Sequence, residues 1–146
     1  MVEELYTLYK RDLQRLHKEI SLFSQEEHLW QISGQVPNAA GNLSLHLVGN
    51  LSTYIGKNIG NTPYIRDREA EFTSKNIPKQ ALLHQIEITQ HLVLTTLQQM
   101  QAVELSQQYP ENVLGFEMTT GFFLMHLLAH LSYHLGQINY LRRILE

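Results

Sequence analysis

The stretch "HLLAHLSYHLGQINYLRR", residues 126–143, carries His126, His130 and His134 at four-residue intervals on an otherwise strongly apolar run. An α-helix brings residues i and i+4 onto one face, about 5–6 Å apart at Cβ. Leu124, Leu128, Leu131 and Leu135 then fall roughly opposite the histidines, and Ser132, Asn139 and Arg143 form a separate polar stripe. A surface helix needs only one polar face. Two polar stripes pose the question of what the histidine row faces: water, or a polar cavity inside the protein.

Outward from this helix, three more long helical patterns appear. The first runs from Val2 to Phe23, with Leu5, Leu13, Leu16 and Ile20 at helical spacing. "SGQVPNAAGN" interrupts it, with Gly34 and Pro37 as punctuation. A second helix spans Ala39 to Ile59, and Gly60 and Asn61 suit its end. The polar, charged "NTPYIRDREAEFTSKNIP" follows, long enough to cross over one end of a bundle. Pro78 fits the first turn of a third helix that runs to about Leu105. "SQQYPENVLGFE" leads to the fourth, from about Met118 to Leu145. Strand patterns are weak throughout. The expected fold is all-α, an antiparallel four-helix bundle with a long connection between helices 2 and 3, over a single domain of residues 1–146.

Composition removes several function classes. Apolar residues make up 43 % of the 146 and charged residues 17 %, which suits a packed globule and not a disordered chain. A net charge of -3 gives no electrostatic case for nucleic acid. Without cysteine there is no disulfide framework, no thiolate-ligated metal and no cysteine nucleophile. "MVEELYTLYKRDLQ" has no apolar signal core, and no run approaches the roughly 20 apolar residues of a membrane span. The expected setting is cytoplasmic, with no membrane partner.

Neutral imidazole ligates zinc, nickel, copper and iron, and two histidines at i, i+4 can reach one ion. His130 and His134 form such a pair. Three imidazoles on one helix span too far for one ion, so His126 is expected to line the pocket. A third ligand has to come from another helix, and the candidate is His46 in "GNLSLHLVGNL", flanked by Asn42 and Asn50. The apolar face of that helix is Leu43, Leu47, Leu51 and Ile55, with His46 to its side. Spacing alone leaves His46 free to face either solvent or the cavity. His17, His28, His84 and His91 lack partners in the pattern. Neither Glu-x-x-His nor His-Glu-x-x-His occurs, so a carboxylate-bridged di-metal bundle and a metalloprotease helix are not indicated.

"HLSYHLGQINYLRR" resembles the last-helix signature of the DinB-like superfamily, H-x3-H followed by G-Q. "SLHLVGNL" resembles the segment of that superfamily that supplies its first histidine, and "RDREAEF", residues 66–72, is similar to an Arg/Asp/Glu-rich loop of one branch. The resemblance implies a four-helix bundle with a three-histidine site for one divalent metal ion (Zn, Ni or Fe), often in a homodimer. Residue by residue it maps onto His46, His130 and His134, and His126 falls outside it. It implies either a thiol-dependent S-transferase or isomerase, with a low-molecular-weight thiol as cosubstrate, or a metal-dependent hydrolase acting on a small-molecule substrate. A non-catalytic metal-binding or stress-response module is the alternative.

Three protein ligands leave a coordination position open, which suits activation of a thiol or water. No side chain is singled out as catalytic in its own right. Gln137, three residues after His134, and Asn50, one turn past His46, are placed to fix imidazole tautomers. Arg66 suits a carboxylate on a thiol or substrate. Neighbouring Asp67, Glu69 and Glu71 favour a locally salt-bridged loop instead. The last helix is apolar around much of its circumference, which supports the homodimer.

Overall fold

The computed structural model describes residues 1–146. Four long helices form the bundle: α1 (Val2–Leu22), α2 (Ala40–Leu51), α4 (Lys79–Gln99) and α5 (Thr120–Leu145). A short helix, α3 (Arg68–Thr73), sits in the connection between α2 and α4. There are no strands, only an isolated antiparallel bridge between Gln108 and Thr119. No helix is long and apolar enough to cross a membrane.

α1 is amphipathic. Leu5, Tyr9, Leu13, Leu16 and Ile20 are all buried, at steps of three and four residues. It packs on α4 and α5, and α2 packs on the same two helices from the far side. α1 and α2 are thus diagonal, and residues 23–39, with a 3₁₀ turn at Glu26–Trp30, carry the chain across. The crossing expected after α2 is made before it. The connection after α2 folds back on that helix as α3, because α2 and α4 are packed neighbours.

α2 is buried on nearly every side, Val48 alone among its residues being half-buried. Such a helix has no face to offer water. It passes into a wider π turn at Ser52–Lys57, so the helix expected to run to Ile59 changes its winding before its end. α4 stops at Gln99, short of the expected Leu105, and a separate 3₁₀ turn takes up Ala102–Ser106. The break has a local cause. Gln101 and Glu104 form a reciprocal capping box, which starts the new turn. α5 begins with Thr119 as cap, its Oγ1 accepting from Phe122 N at 3.2 Å.

The core runs the length of the bundle. Tyr9 is fully buried, and its hydroxyl donates to the Leu124 carbonyl at 2.7 Å, tying α1 to α5. On α5 the inward stripe is Leu124, Leu127, Leu131, Leu135, Ile138 and Leu141. The histidines occupy the adjacent stripe. Leu131→Ala should cost about 2–5 kcal/mol of stability in urea unfolding, the range for emptying a closed core position. His84→Ala, at an exposed position of α4, should stay within about 0.5 kcal/mol of wild type.

Candidate metal centre

Two helices supply the three histidines. α5 presents His130 and His134 one turn apart, and α2 brings His46 against them. His46 is buried, and the other two are half-buried. The imidazoles meet through Nε2. His130 Nε2 lies 3.1 Å from His46 Nε2 and 3.1 Å from His134 Nε2, and the three ligand atoms lie within 4.8 Å of one another. The rings stand nearly at right angles, 75° between His46 and His130 and 88° between His130 and His134.

The far sides of two rings decide the tautomers. His46 Nδ1 is 3.0 Å from Glu71 Oε1, and His134 Nδ1 is 2.7 Å from Gln137 Oε1. Both partners are acceptors, so each Nδ1 carries the proton and donates it. Each Nε2 is then left with a lone pair facing the centre. His130 Nδ1 is buried with no partner. In the protein alone, His130 can donate its one Nε2 proton to only one of the two neighbouring lone pairs.

The surroundings also hold the rings neutral. Burial, then the charges His134 and His46 would carry, lowers the His130 pKa to about 4. Burial lowers that of His134 as well, against the hydrogen bond it donates to Gln137. These two rings are neutral at neutral pH, the form that binds metals. The donor set fits a divalent ion. Three imidazoles at 2.0–2.1 Å in tetrahedral directions place their nitrogens about 3.3 Å apart, close to the 3.1 Å that separates His130 Nε2 from each of the other two, with the third separation inside 4.8 Å.

Glu71 is the residue sequence reasoning under-read. It sits on α3, buried, and receives three hydrogen bonds. Arg66 Nε donates to Oε2 at 2.8 Å, Arg66 Nη2 to Oε1 at 2.9 Å, and His46 Nδ1 to Oε1. Burial pushes its carboxyl up, but the bonds from His46 and Arg66 and the guanidinium charge together hold it below the usual value. Asn42 fixes the α3 backbone, its Nδ2 donating to the carbonyls of Glu71 at 3.0 Å and Ser74 at 2.8 Å. The Phe72 ring packs on His46 at 5.0 Å. The expected salt-bridged loop is present at Arg66–Glu71, but buried against a histidine rather than free in solvent. A metal-bound imidazole almost always has an acceptor behind it. That rule could have prompted a search of the loop for a carboxylate.

The remaining predicted residues separate. Gln137 stands behind His134. Asn50 is buried with Oδ1 unpartnered, and forms no hydrogen bond to His46. His126 is exposed and stacks on Phe123, at 5.8 Å between ring centroids and 10° between planes. It takes no part in the three-nitrogen cluster. A groove of about 580 Å³ runs beside His134 and Gln137, walled by Val36, Pro37, Leu43, Tyr133 and Tyr140. A larger one, about 740 Å³, lies between α2 and α4 and touches none of the three histidines.

Comparison with known proteins agrees with the fold. The model of the family described as "Protein of unknown function (DUF1572)" matches residues 2–146, and the chain belongs to that family, which is DinB-like. Among solved structures, the crystal structure of a DinB-like protein from Bacillus cereus ATCC 10987 is similar, with a TM-score of 0.74 and 17 % identity. The match covers 97 % of this chain and 90 % of that one. At this identity the likeness establishes the fold, a DinB-like helical bundle. No curated protein matches.

The geometry separates neighbours on one helix. His46→Ala, His130→Ala and His134→Ala should each lower zinc affinity by more than about 100-fold in chelator competition, since each leaves two imidazoles. His126→Ala, one turn away, should stay within about threefold. Equal loss at His126 and His130 would move the site along the helix.

Proposed function

We propose that this protein is a divalent-metal-dependent enzyme that activates a thiol or water at a three-histidine centre. His46, His130 and His134 would hold the ion. The observation that carries the reading is the meeting of three Nε2 atoms on one point, with the Nδ1 protons of His46 and His134 already committed to Glu71 and Gln137. Packing alone does not account for the arrangement, because the one Nε2 proton of His130 satisfies only one of the two lone pairs turned toward it and leaves the other without a donor.

A divalent ion bound by three protein ligands supplies Lewis acidity at an open position, enough to bring a thiol or water to its deprotonated form at neutral pH. The chain supplies the rest. Glu71 and Gln137 hold two imidazoles in the ligating tautomer. Burial disfavours the imidazolium form of His130 and His134, so each ring carries one proton rather than two and keeps one nitrogen able to ligate. The groove beside His134 offers apolar and aromatic walls to a small-molecule substrate. The chain has no cysteine, so a thiol would have to come from a cosubstrate. That points to the cytoplasm, where small thiols are kept reduced.

Thiol transfer and hydrolysis differ in product. The zinc- or nickel-loaded protein, offered a low-molecular-weight thiol and an aryl halide electrophile, is expected to form the S-conjugate, and His134→Ala to abolish it. Turnover of model esters or amides without thiol would identify the hydrolase branch instead. Metal binding with no turnover in either assay would support a non-catalytic binding module.

We further infer a homodimer. Phe122, Met125, Tyr133, Tyr140 and Ile144 lie exposed along one stripe of α5, away from the core. Such a continuous apolar stripe is unusual on a monomer, and two-fold dimers are the commonest assembly. Light scattering should give a mass near twice 17.0 kDa, and Tyr133→Glu with Tyr140→Glu should return it to 17.0 kDa.

A further inference from the structure

Gly49 lies in the interior of α2, three residues after His46. Glycine weakens a helix interior relative to alanine, so its presence there needs a reason. A Cβ built at Gly49 would overlap Glu71 Oε2, and would lie 2.6 Å from Glu71 Cδ and 3.3 Å from Arg66 Nε. These three nearest atoms all belong to the outer parts of side chains, none to backbone. An added methyl group would therefore displace the carboxylate rather than the helix. Gly136 on α5 offers the contrast, with nothing within 4 Å of its built Cβ.

We propose that Gly49 is a positioning residue for the metal centre: the space left by its missing side chain seats the Glu71 carboxylate, and through Glu71 it sets the tautomer of His46. The inference rests on the metal reading above and adds a residue that touches no ligand atom. With Glu71 seated, His46 Nδ1 donates to Oε1, and Nε2 keeps its lone pair. With Glu71 displaced, the remaining polar neighbour of Nδ1 is Arg66 Nη2 at 3.4 Å, which can only donate. Nδ1 then becomes the acceptor, and the proton moves to Nε2, onto the lone pair that would hold the ion. One methyl group on α2 thereby closes a ligand position without touching it.

The chain purified without an affinity tag tests this, as wild type, Gly49→Ala, Glu71→Ala, the double variant and Gly136→Ala. Zinc affinity is read by competition with a chromophoric chelator. The His46 tautomer is read in the metal-free protein from imidazole ¹⁵N shifts, which a merely structural role would not move. Gly49→Ala should weaken zinc binding by about 10–100-fold, the range for losing the partner behind a ligating histidine. Glu71→Ala should lose at least as much. The double variant should lose no more than Glu71→Ala, because the methyl group acts only through the carboxylate. His46 should pass from the Nδ1–H to the Nε2–H form in all three, while Gly136→Ala matches wild type in both readouts. An unchanged tautomer and near-wild-type affinity in Gly49→Ala would overturn the proposal. So would a double variant far weaker than Glu71→Ala, since Gly49 would then act by another route. A wild-type chain that binds no zinc, yet shows the tautomer switch, would defeat the metal reading and keep the Gly49–Glu71–His46 linkage.

Discussion

Imidazole lone pairs aimed at one point repel one another, and the protein has to hold them there. The isolated α5 helix does this only for His134, through Gln137. His130 on its own would turn Nε2 toward water, and His46 on a helix buried nearly all round would seek the nearest acceptor. The arrangement persists because the opposite nitrogens of His46 and His134 are anchored, by Glu71 and Gln137. Those anchors carry different weights. Gln137 sits on the same helix as its histidine, so its bond comes with the helix. Glu71 belongs to a segment 25 residues from His46 in sequence and must be brought in by the fold.

This explains the form of the connection between α2 and α4. A tight link between packed neighbours would need only a few residues. Here the chain spends about twenty, and much of what it builds serves Glu71. Asp67 caps α3 through Ala70 N, Asn42 on α2 binds the Glu71 and Ser74 carbonyls, and Arg66 grips the carboxylate with two nitrogens. A carboxylate buried without such partners would be costly, and removing one partner from a buried pair is destabilising. The loop is ordered around one charge, and that charge is ordered around one histidine.

What the sequence disclosed follows the same division. The four long helices were legible because each has enough length and apolar periodicity to declare itself. The His130–His134 pair was legible because i, i+4 is a property of one helix. His46 was not settled by pattern. α2 is buried on almost every side, so periodicity carries no information about which way a residue points, and only a resemblance placed His46 with the others. Asn50 and Gln137 had the same kind of argument, a polar side chain near a histidine in sequence. Gln137 meets its ring, while Asn50 does not, since no two positions on a helix buried all round are equivalent. Glu71 was read as a partner of the arginines beside it. That reading held for Arg66 and missed the third bond, because the contact to His46 exists only after α3 folds back on α2. The end of α4 was misplaced for a local reason, the Gln101–Glu104 box that opens a new turn.

Cavity size is a poor guide to this molecule. The larger groove lies between α2 and α4, on the side of α2 away from the histidines, and hydroxyls and amides share its walls with Val48, Ile88 and Leu92. Volume of this kind arises wherever two helices and the loop beside them leave a gap, here beside Gly60–Tyr64. It requires no chemistry. The histidine cluster makes the opposite demand. It occupies little space, yet five polar side chains from three elements have to agree on where each proton sits. A set of hydrogen bonds that is self-consistent in only one tautomeric pattern is far less probable by accident than a gap between helices. The chemistry is therefore better located by asking which nitrogens are left with a lone pair and nothing to accept.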